Sequence, residues 1–372
     1  MPTLEWIGKS KVINHHQDVP FRVLERKYSF DENGQHDEDN GSENMIIRGD
    51  NLEALKALLP RYEGRVKCIY IDPPYNTGNE GWVYNDNVND PKIKKWLGEV
   101  VGKEGEDLTR HDKWLCMMYP RLKLLQKLLH PTDGSIFISI DENEIQNLKL
   151  ICNEIFGSNH HVATIAWQKR YSRENRGAIG DAHEYILVYA SDVETFKVIR
   201  HKVEFDENSA KVYKNPNNDP KGRWRAVPMT AQGYRPNQMY PITTPSGKVC
   251  YPPQGRCWST VESEYKKILE AGRIYFGKNG DSQPSTIRYL SEVEGMIPWT
   301  WWPHEEVGHT DEAKKEIITI LGNADSFDTP KPTRLIKRIL QIATNPDDII
   351  LDSFAGSGTT AHAVLNMNKA DG

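Results

Sequence analysis

Residues 66–80 read VKCIYIDPPYNTGNE. The first six are almost entirely apolar. A run that short, rich in β-branched and aromatic side chains, predicts a buried strand over 66–72. Two consecutive prolines stop it just after a carboxylate, Asp72, because neither can donate to a sheet ladder. Upstream, NMIIRGD (44–50) predicts another short strand ending in Gly-Asp. NLEALKALL (51–59) places its leucines at helical spacing behind a capping Asp50 or Asn51, with Pro60 after it. Strand, helix and strand within about thirty residues make a βαβ unit, and the fold class is α/β.

Working outward, residues 76–110 are polar and Gly-rich and predict a long mobile loop. KWLCMMYPRLKLLQKLLH (113–130) predicts an amphipathic helix that bends at Pro120, GSIFISID (134–141) a strand, and 142–157 a helix. VATIAWQ (162–168) and HEYILVYAS (183–191) predict two strands joined by a loop rather than a helix, hence an antiparallel pair. From 192 to 325 the texture changes to Pro, Gly, Asn, Trp and short strands, which marks an inserted, strand-rich module after the α/β stretch at 44–191; residues 1–43 read as an irregular lead-in. The α/β texture resumes at 326–372, with a helix at 333–345 and strand, glycine turn, helix at 348–367.

Composition bounds the function classes. The 372 residues carry a net charge of −5, but the charge is segregated. Residues 31–43 hold six acids and no Lys or Arg, and read as a solvated loop. Residues 208–235 hold six bases against one acid, a local +5 that suits an anionic partner. No apolar run approaches a membrane span, and the opening residues carry no secretory pattern. Five cysteines without a C-x-x-C pair read as free thiols of a reducing cytoplasm. His15-His16 and His160-His161 lack a matching ligand set, so no metal is expected.

In ILDSFAGSGTTAHAVL (350–365), Gly356 and Gly358 fall between strand and helix, where a ligand can approach the backbone and the helix start offers free N–H groups. A phosphate loop would need Lys after the second glycine, and the dinucleotide fingerprint is incomplete. A third reading is a turn holding the methionyl end of S-adenosylmethionine.

DPPY after one strand and DSFAGSGTT after another, in this order, closely resemble the β-class amino-methyltransferases of DNA. In particular they look like the modification (Mod) subunits of type III restriction–modification systems and their site-specific adenine methyltransferase relatives. It extends over IIRGDNLEALKALLPRYEG, WLCMMYPRLKLLQKLLHPTDGSIFISIDENE, HEYILVYA and FDTPKPTRLIKRIL, most of the chain from residue 44. The resemblance implies a circularly permuted class I methyltransferase fold: a Rossmann-like, mostly parallel sheet with one antiparallel strand and an inserted target-recognition domain. It also implies S-adenosylmethionine as cofactor, double-stranded DNA as partner, and a homodimer with a restriction subunit. In the family another strand follows the glycine turn and its helix, then usually a further domain. A chain stopping at NKADG reads as truncated, with an edge opened beside MIIRGD and activity impaired.

The chemistry fits these residues. An exocyclic amine is a poor nucleophile until acceptors hold its N–H groups and localise its lone pair. Asp72 supplies one acceptor and the Pro73 carbonyl another, Pro73 and Pro74 stiffen the turn, and Tyr75 offers a face for a flipped base. The two amines, adenine N6 and cytosine N4, are chemically alike; by resemblance, since the family usually carries Asp at the first motif position for adenine and more often Ser for cytosine, Asp72 favours adenine N6. By resemblance Asp352, Phe354, Ala355, Gly356, Gly358 and Thr359 take the methionyl and ribose end, Asp50 lies near the adenine ring or simply caps its helix, and Lys331 and Pro332 support the cofactor. Arg170, Arg173 and Arg176 are expected on phosphates, and Lys221, Arg223 and Arg225 in the base-reading module. The Trp299, Trp301 and Trp302 group is expected in the core rather than as a wedge in DNA. The rival from another class is a non-catalytic DNA-binding remnant.

Overall fold

The computed structural model describes residues 3–77, 108–173, 178–205, 210–323 and 327–371. Most of the loop expected at 76–110, and Arg176, lie outside the described residues. The chain divides into two compact units, Met1–His201 with Pro298–Gly372, and Lys202–Ile297. The smaller unit is narrower than the 192–325 stretch marked by composition. Pro and Trp enrichment reports loops and bulky side chains rather than sheet membership, and Trp301–Trp302 is a strand of the larger unit's sheet.

That sheet has six strands: β1 (Cys68–Ile71), β2 (Ser135–Ile140), β3 (His161–Gln168), β4 (His183–Ala190), β5 (Trp301–Trp302) and β6 (Ile350–Asp352), in the order β5-β3-β4-β2-β1-β6. Neighbours are parallel except at β4, which runs against both β2 and β3. β1 and β2 are buried along their whole length, as near-continuous apolar strands covered on both faces should be. Ile69, Ile71, Ile136, Ile138 and Leu187 join one core with α1 (Asn51–Tyr62), α2 (Leu108–Leu128) and α3 (Ile145–Phe156). Cys68, Tyr70, Phe137, Ile186 and Val188 alternate with them, so they point to the opposite face, and they are buried too. Further helices of the unit include α4 (Thr310–Leu321), α5 (Thr333–Ala343) and α6 (Thr359–Asp371), beside the short helices Val193–Ile199 and His304–Val307. In α5, Leu335, Ile336, Ile339 and Leu340 recur at helical spacing and are all fully buried.

Several expectations are corrected. Residues 44–50 are not a strand; no strand of the sheet pairs with them, and Ile46 is 94% exposed. An extended segment without a partner gains no ladder, whatever its β-propensity. The lead-in is not wholly irregular: single-turn helices at Lys9–Val12 and His15–Asp18 bring Val12 into the core beside Trp6 and Val19, and Ser29–Asp31 pairs with Gly34–His36 within the acidic stretch. Helix α1 continues through Pro60 to Tyr62. Only its last residues lie beyond the proline, so the missing N–H removes a single backbone bond.

The smaller unit pairs Ser285–Tyr289 with both Trp224–Pro228 and Ile274–Tyr275, and Arg256–Trp258 with Thr230–Gln232. Trp258 is fully buried and donates its indole N–H to the Tyr240 carbonyl at 2.7 Å. Trp224, Ile287 and Tyr289 form a second apolar cluster. No helix among the described residues is long and apolar enough to cross a membrane.

Candidate active site

Parallel strands β1 and β6 end side by side, with Asp352 in register with Tyr70, two residues before Asp72. Because β4 runs the other way, its first residues reach the same sheet edge; Glu184 lies there, paired with Trp167 near the end of β3. The carboxyl edge of a mostly parallel sheet is where α/β folds bind ligands.

Asp72 is the centre of this edge. Its two oxygens lie 2.9 and 2.8 Å from the Lys331 Nζ, and Oδ1 also receives the Tyr75 hydroxyl at 2.9 Å. The same hydroxyl is 2.9 Å from Glu184 Oε2, so its one proton is shared between two carboxylates. Glu184 Oε2 is also 3.7 Å from Lys331, and its Oε1 is 3.3 Å from Lys169, which is itself 2.7 Å from Asp181. Burial alone would lower the Lys331 pKa; Asp72 and Glu184 outweigh it and leave it raised. Burial and the same two carboxylates push the Tyr75 phenol well above its usual range. The Lys331 ammonium stands 4.9 Å from the Tyr75 ring centroid.

The turn itself is fastened from behind. The Pro74 carbonyl accepts the Trp114 indole N–H at 2.7 Å. Asn76, left-handed at φ 59°, is buried rather than the start of a solvated loop. Its amide donates to Glu144, which is fully buried and also meets His111 at 2.6 Å and Asn147 at 2.9 Å.

At the glycine turn, Asp352 accepts the Phe354 N–H at 2.9 Å and the Thr360 hydroxyl at 2.5 Å. Burial pushes its carboxyl up to about 6 against those bonds, and the charge of Asp72 acts in the same direction. Gly356 and Gly358 adopt φ 53° and 77°, which favours glycine at both. Ala355 is exposed, Phe354 is buried, and Thr359 donates its hydroxyl to the Lys331 carbonyl at 3.2 Å. The backbone of Lys331 therefore touches the glycine turn's helix, while its ammonium is turned to Asp72. Pro332 caps α5. The side chain of Asp50 caps α1, accepting the Glu53 N–H at 3.0 Å; its neighbour Asn51 donates to the Ser353 carbonyl and accepts from Arg121 at 3.1 Å.

Of the expected DNA contacts, Arg170 and Arg173 are exposed between β3 and β4. In the smaller unit, Lys221 and Arg223 are exposed, and Arg225 is half-buried with its guanidinium 5.3 Å from the Tyr213 ring. Trp302 is core, as expected, whereas Trp299 and Trp301 are 60% and 42% exposed. Sequence reasoning missed Glu184, Glu144 and Asn51. The available signal for Glu184 was an acid heading an otherwise apolar strand.

A family model described as DNA methylase (N6_N4_Mtase) matches residues 66–370, from the approach to β1 through the glycine turn and most of α6. The chain belongs to this DNA methylase family. It is 40% identical over 352 residues to the type III restriction-modification enzyme StyLTI Mod subunit of Salmonella typhimurium, covering 90% of this chain and 52% of that one. It is 34% identical to the EcoPI Mod subunit of Escherichia phage P1, covering 99% of this chain and 62% of that one. It is 30% identical to the type II methyltransferase M.KpnI of Klebsiella pneumoniae, covering 90% and 79%. This DNA methylase chain thus spans little more than half the length of the first of these relatives.

Proposed function

We propose that the chain is the methyl-transferring part of a restriction–modification subunit, moving a methyl group from S-adenosylmethionine to the N6 amine of an adenine flipped out of duplex DNA. The observation that carries this reading is the adjacency of the two turns: Asp72 and Asp352 follow neighbouring parallel strands to one edge, so an acceptor for an amine and a seat for a cofactor face the same space.

The residues at the glycine turn fit the cofactor. Ser353 Oγ is a buried hydroxyl without a partner among the described residues, two left-handed glycines keep side chains out of the turn, and the N-terminus of α6 adds free N–H groups. Asp352, Ser353 and the backbone at Ala355–Gly358 would hold the methionyl and ribose end. Bound there, S-adenosylmethionine supplies an electrophilic methyl on sulfur. Asp72 accepts one N–H of the target amine and the Pro73 carbonyl can accept the other. Holding both localises the nitrogen lone pair and favours the tetrahedral product. Tyr75 stacks on the base, worth about 1–3 kcal/mol. No covalent nucleophile is needed, and all five cysteines are buried. Asp at position 72 supports adenine over cytosine.

The proposal extends to a circularly permuted class I methyltransferase fold, since acceptor strand β1 precedes the glycine turn of β6 in the chain. Residues 44–191 then serve as catalytic half, 326–372 as cofactor half, and Lys202–Ile297 as inserted target-recognition module. Duplex DNA is the substrate. Likeness to Mod subunits adds a second copy and a restriction subunit as partners.

Radiolabelled methyl transfer to a mixed-sequence duplex, followed by nucleoside analysis, tests this. N6-methyladenine is expected. N4-methylcytosine would overturn the base assignment, and DNA binding without cofactor binding or transfer would overturn catalysis.

A further inference from the structure

Lone pairs at Asp72 can be counted. A carboxylate offers about four acceptor sites, two per oxygen. Oδ1 takes the Tyr75 hydroxyl and the Lys331 ammonium; Oδ2 takes Lys331 alone. One site on Oδ2 remains, and the Asp72 side chain keeps 24% of its exposure. What fixes this pattern is Glu184. It shares the Tyr75 proton at 2.9 Å, stands 3.7 Å from the Lys331 ammonium, and is itself fastened by Lys169 at 3.3 Å. Its side chain is 12% exposed, so these attractions act in an environment where charge is poorly screened.

We propose that Glu184 is a positioning residue of the acceptor site: it holds the Tyr75 hydroxyl and the Lys331 ammonium against Asp72, so that a single acceptor position, on Oδ2, is left for the target amine. Glu184 touches neither amine nor cofactor. Its effect passes through Tyr75, whose ring the base stacks on, and through Lys331, which orients both Asp72 oxygens. Without the Glu184 charge, Lys331 is held from one side only, Lys169 keeps only Asp181, and the Tyr75 hydroxyl turns wholly to Asp72. The open Oδ2 position is then no longer fixed relative to the Tyr75 ring. Displacing an acceptor by about an ångström costs on the order of a hundredfold in rate.

This inference rests on the acceptor reading of Asp72, and the experiment separates the two. The single-turnover methyl-transfer rate is measured per cofactor-loaded enzyme, in the full-length protein, for wild type, Glu184→Gln and Glu184→Asp. Normalising to bound cofactor removes any loss of folded enzyme. The Gln variant is expected to fall about 10- to 100-fold with duplex Kd unchanged. The Asp variant, too short to reach Tyr75 and Lys331 together, is expected to fall less, by about threefold or more, and serves alone if the Gln variant does not fold. In the folded variants Lys331 should also acetylate several-fold faster than in wild type, read by mass spectrometry, while Lys56, another buried lysine, keeps its wild-type rate; general loosening would speed both. No transfer by the wild type overturns the acceptor reading and this inference with it. Wild-type transfer together with a wild-type rate, or a wild-type Lys331 acetylation rate, in a folded variant overturns this inference alone.

Discussion

The Lys331 ammonium lies 2.9 and 2.8 Å from the two oxygens of Asp72, a residue 259 positions earlier in the chain. Through its backbone carbonyl, Lys331 also holds Thr359 at the start of the helix after the glycine turn. One residue thus joins the acceptor turn to the glycine turn, and the consequences can be measured.

Asp72→Ala removes the acceptor and leaves Lys331 only the more distant Glu184. Methyl transfer should fall by at least about 10²- to 10³-fold. Cofactor affinity, measured by calorimetry, should remain, because the bonds that hold the glycine turn, from the Phe354 N–H and the Thr360 hydroxyl to Asp352, do not use the Asp72 carboxylate.

Tyr75 separates ring from hydroxyl. Tyr75→Phe keeps the stacking face, so the fluorescence signal of 2-aminopurine at the target position should persist while the transfer rate drops. Tyr75→Ala should weaken capture of the flipped base by about 1–3 kcal/mol, seen as lost affinity for duplexes mismatched at the target.

Glu144 is fully buried and receives Asn76, His111 and Asn147. Glu144→Ala strands the buried Asn76 amide, which costs about 1–3 kcal/mol, whereas His111 and Asn147 are partly exposed and can turn to water. A loss of about 1–3 kcal/mol in urea unfolding is expected, with the turn at Asp72 loosened because Asn76 follows Tyr75 directly.

Asp352 gives a pH signature. Burial raises its carboxyl to about 6. Cofactor binding that uses the carboxylate should be flat above that pH and weaken as pH falls through it, approaching tenfold per unit. Asp352→Asn should bind more weakly but without this dependence. In the ligand-free chain the sign is opposite. Between the usual aspartate value near 4 and about 6, the folded state keeps a proton that the unfolded chain has lost. Its stability therefore declines as pH rises through that window, and the decline should vanish in Asp352→Asn.

Most of the frame was legible in the sequence because burial on both faces writes itself as short apolar runs: CIYI and SIFISI are strands, and the apolar spacing of TRLIKRILQIA marks a helix. MIIRGD misled for the converse reason. Its residues suit a strand, but strand formation is decided by a partner, and residues 44–50 have none. The candidate site was legible where a local motif carries it, at Asp72–Tyr75 and Gly356–Gly358. Glu184 and Glu144 were not, since an acid is buried only when donors converge on it from segments far apart in the chain. Lys331 was read with the glycine turn that follows it in sequence; its ammonium answers instead to a charge reached only through the folded sheet.

The pairing of β6 with β1 also sets an order in time. Ile350 lies in register with Cys68, so that side of β1 has no partner until residue 350 has been synthesised. At about 5–20 residues per second, the interval between the two segments is roughly 15 seconds to a minute. Throughout it, a fully apolar strand presents an unpaired edge, the feature by which nascent chains pair with the wrong neighbour. Until Ile350 arrives that edge is open to wrong pairing, and slow decoding between residues 72 and 350 would lengthen the exposure without altering a single contact of the finished fold.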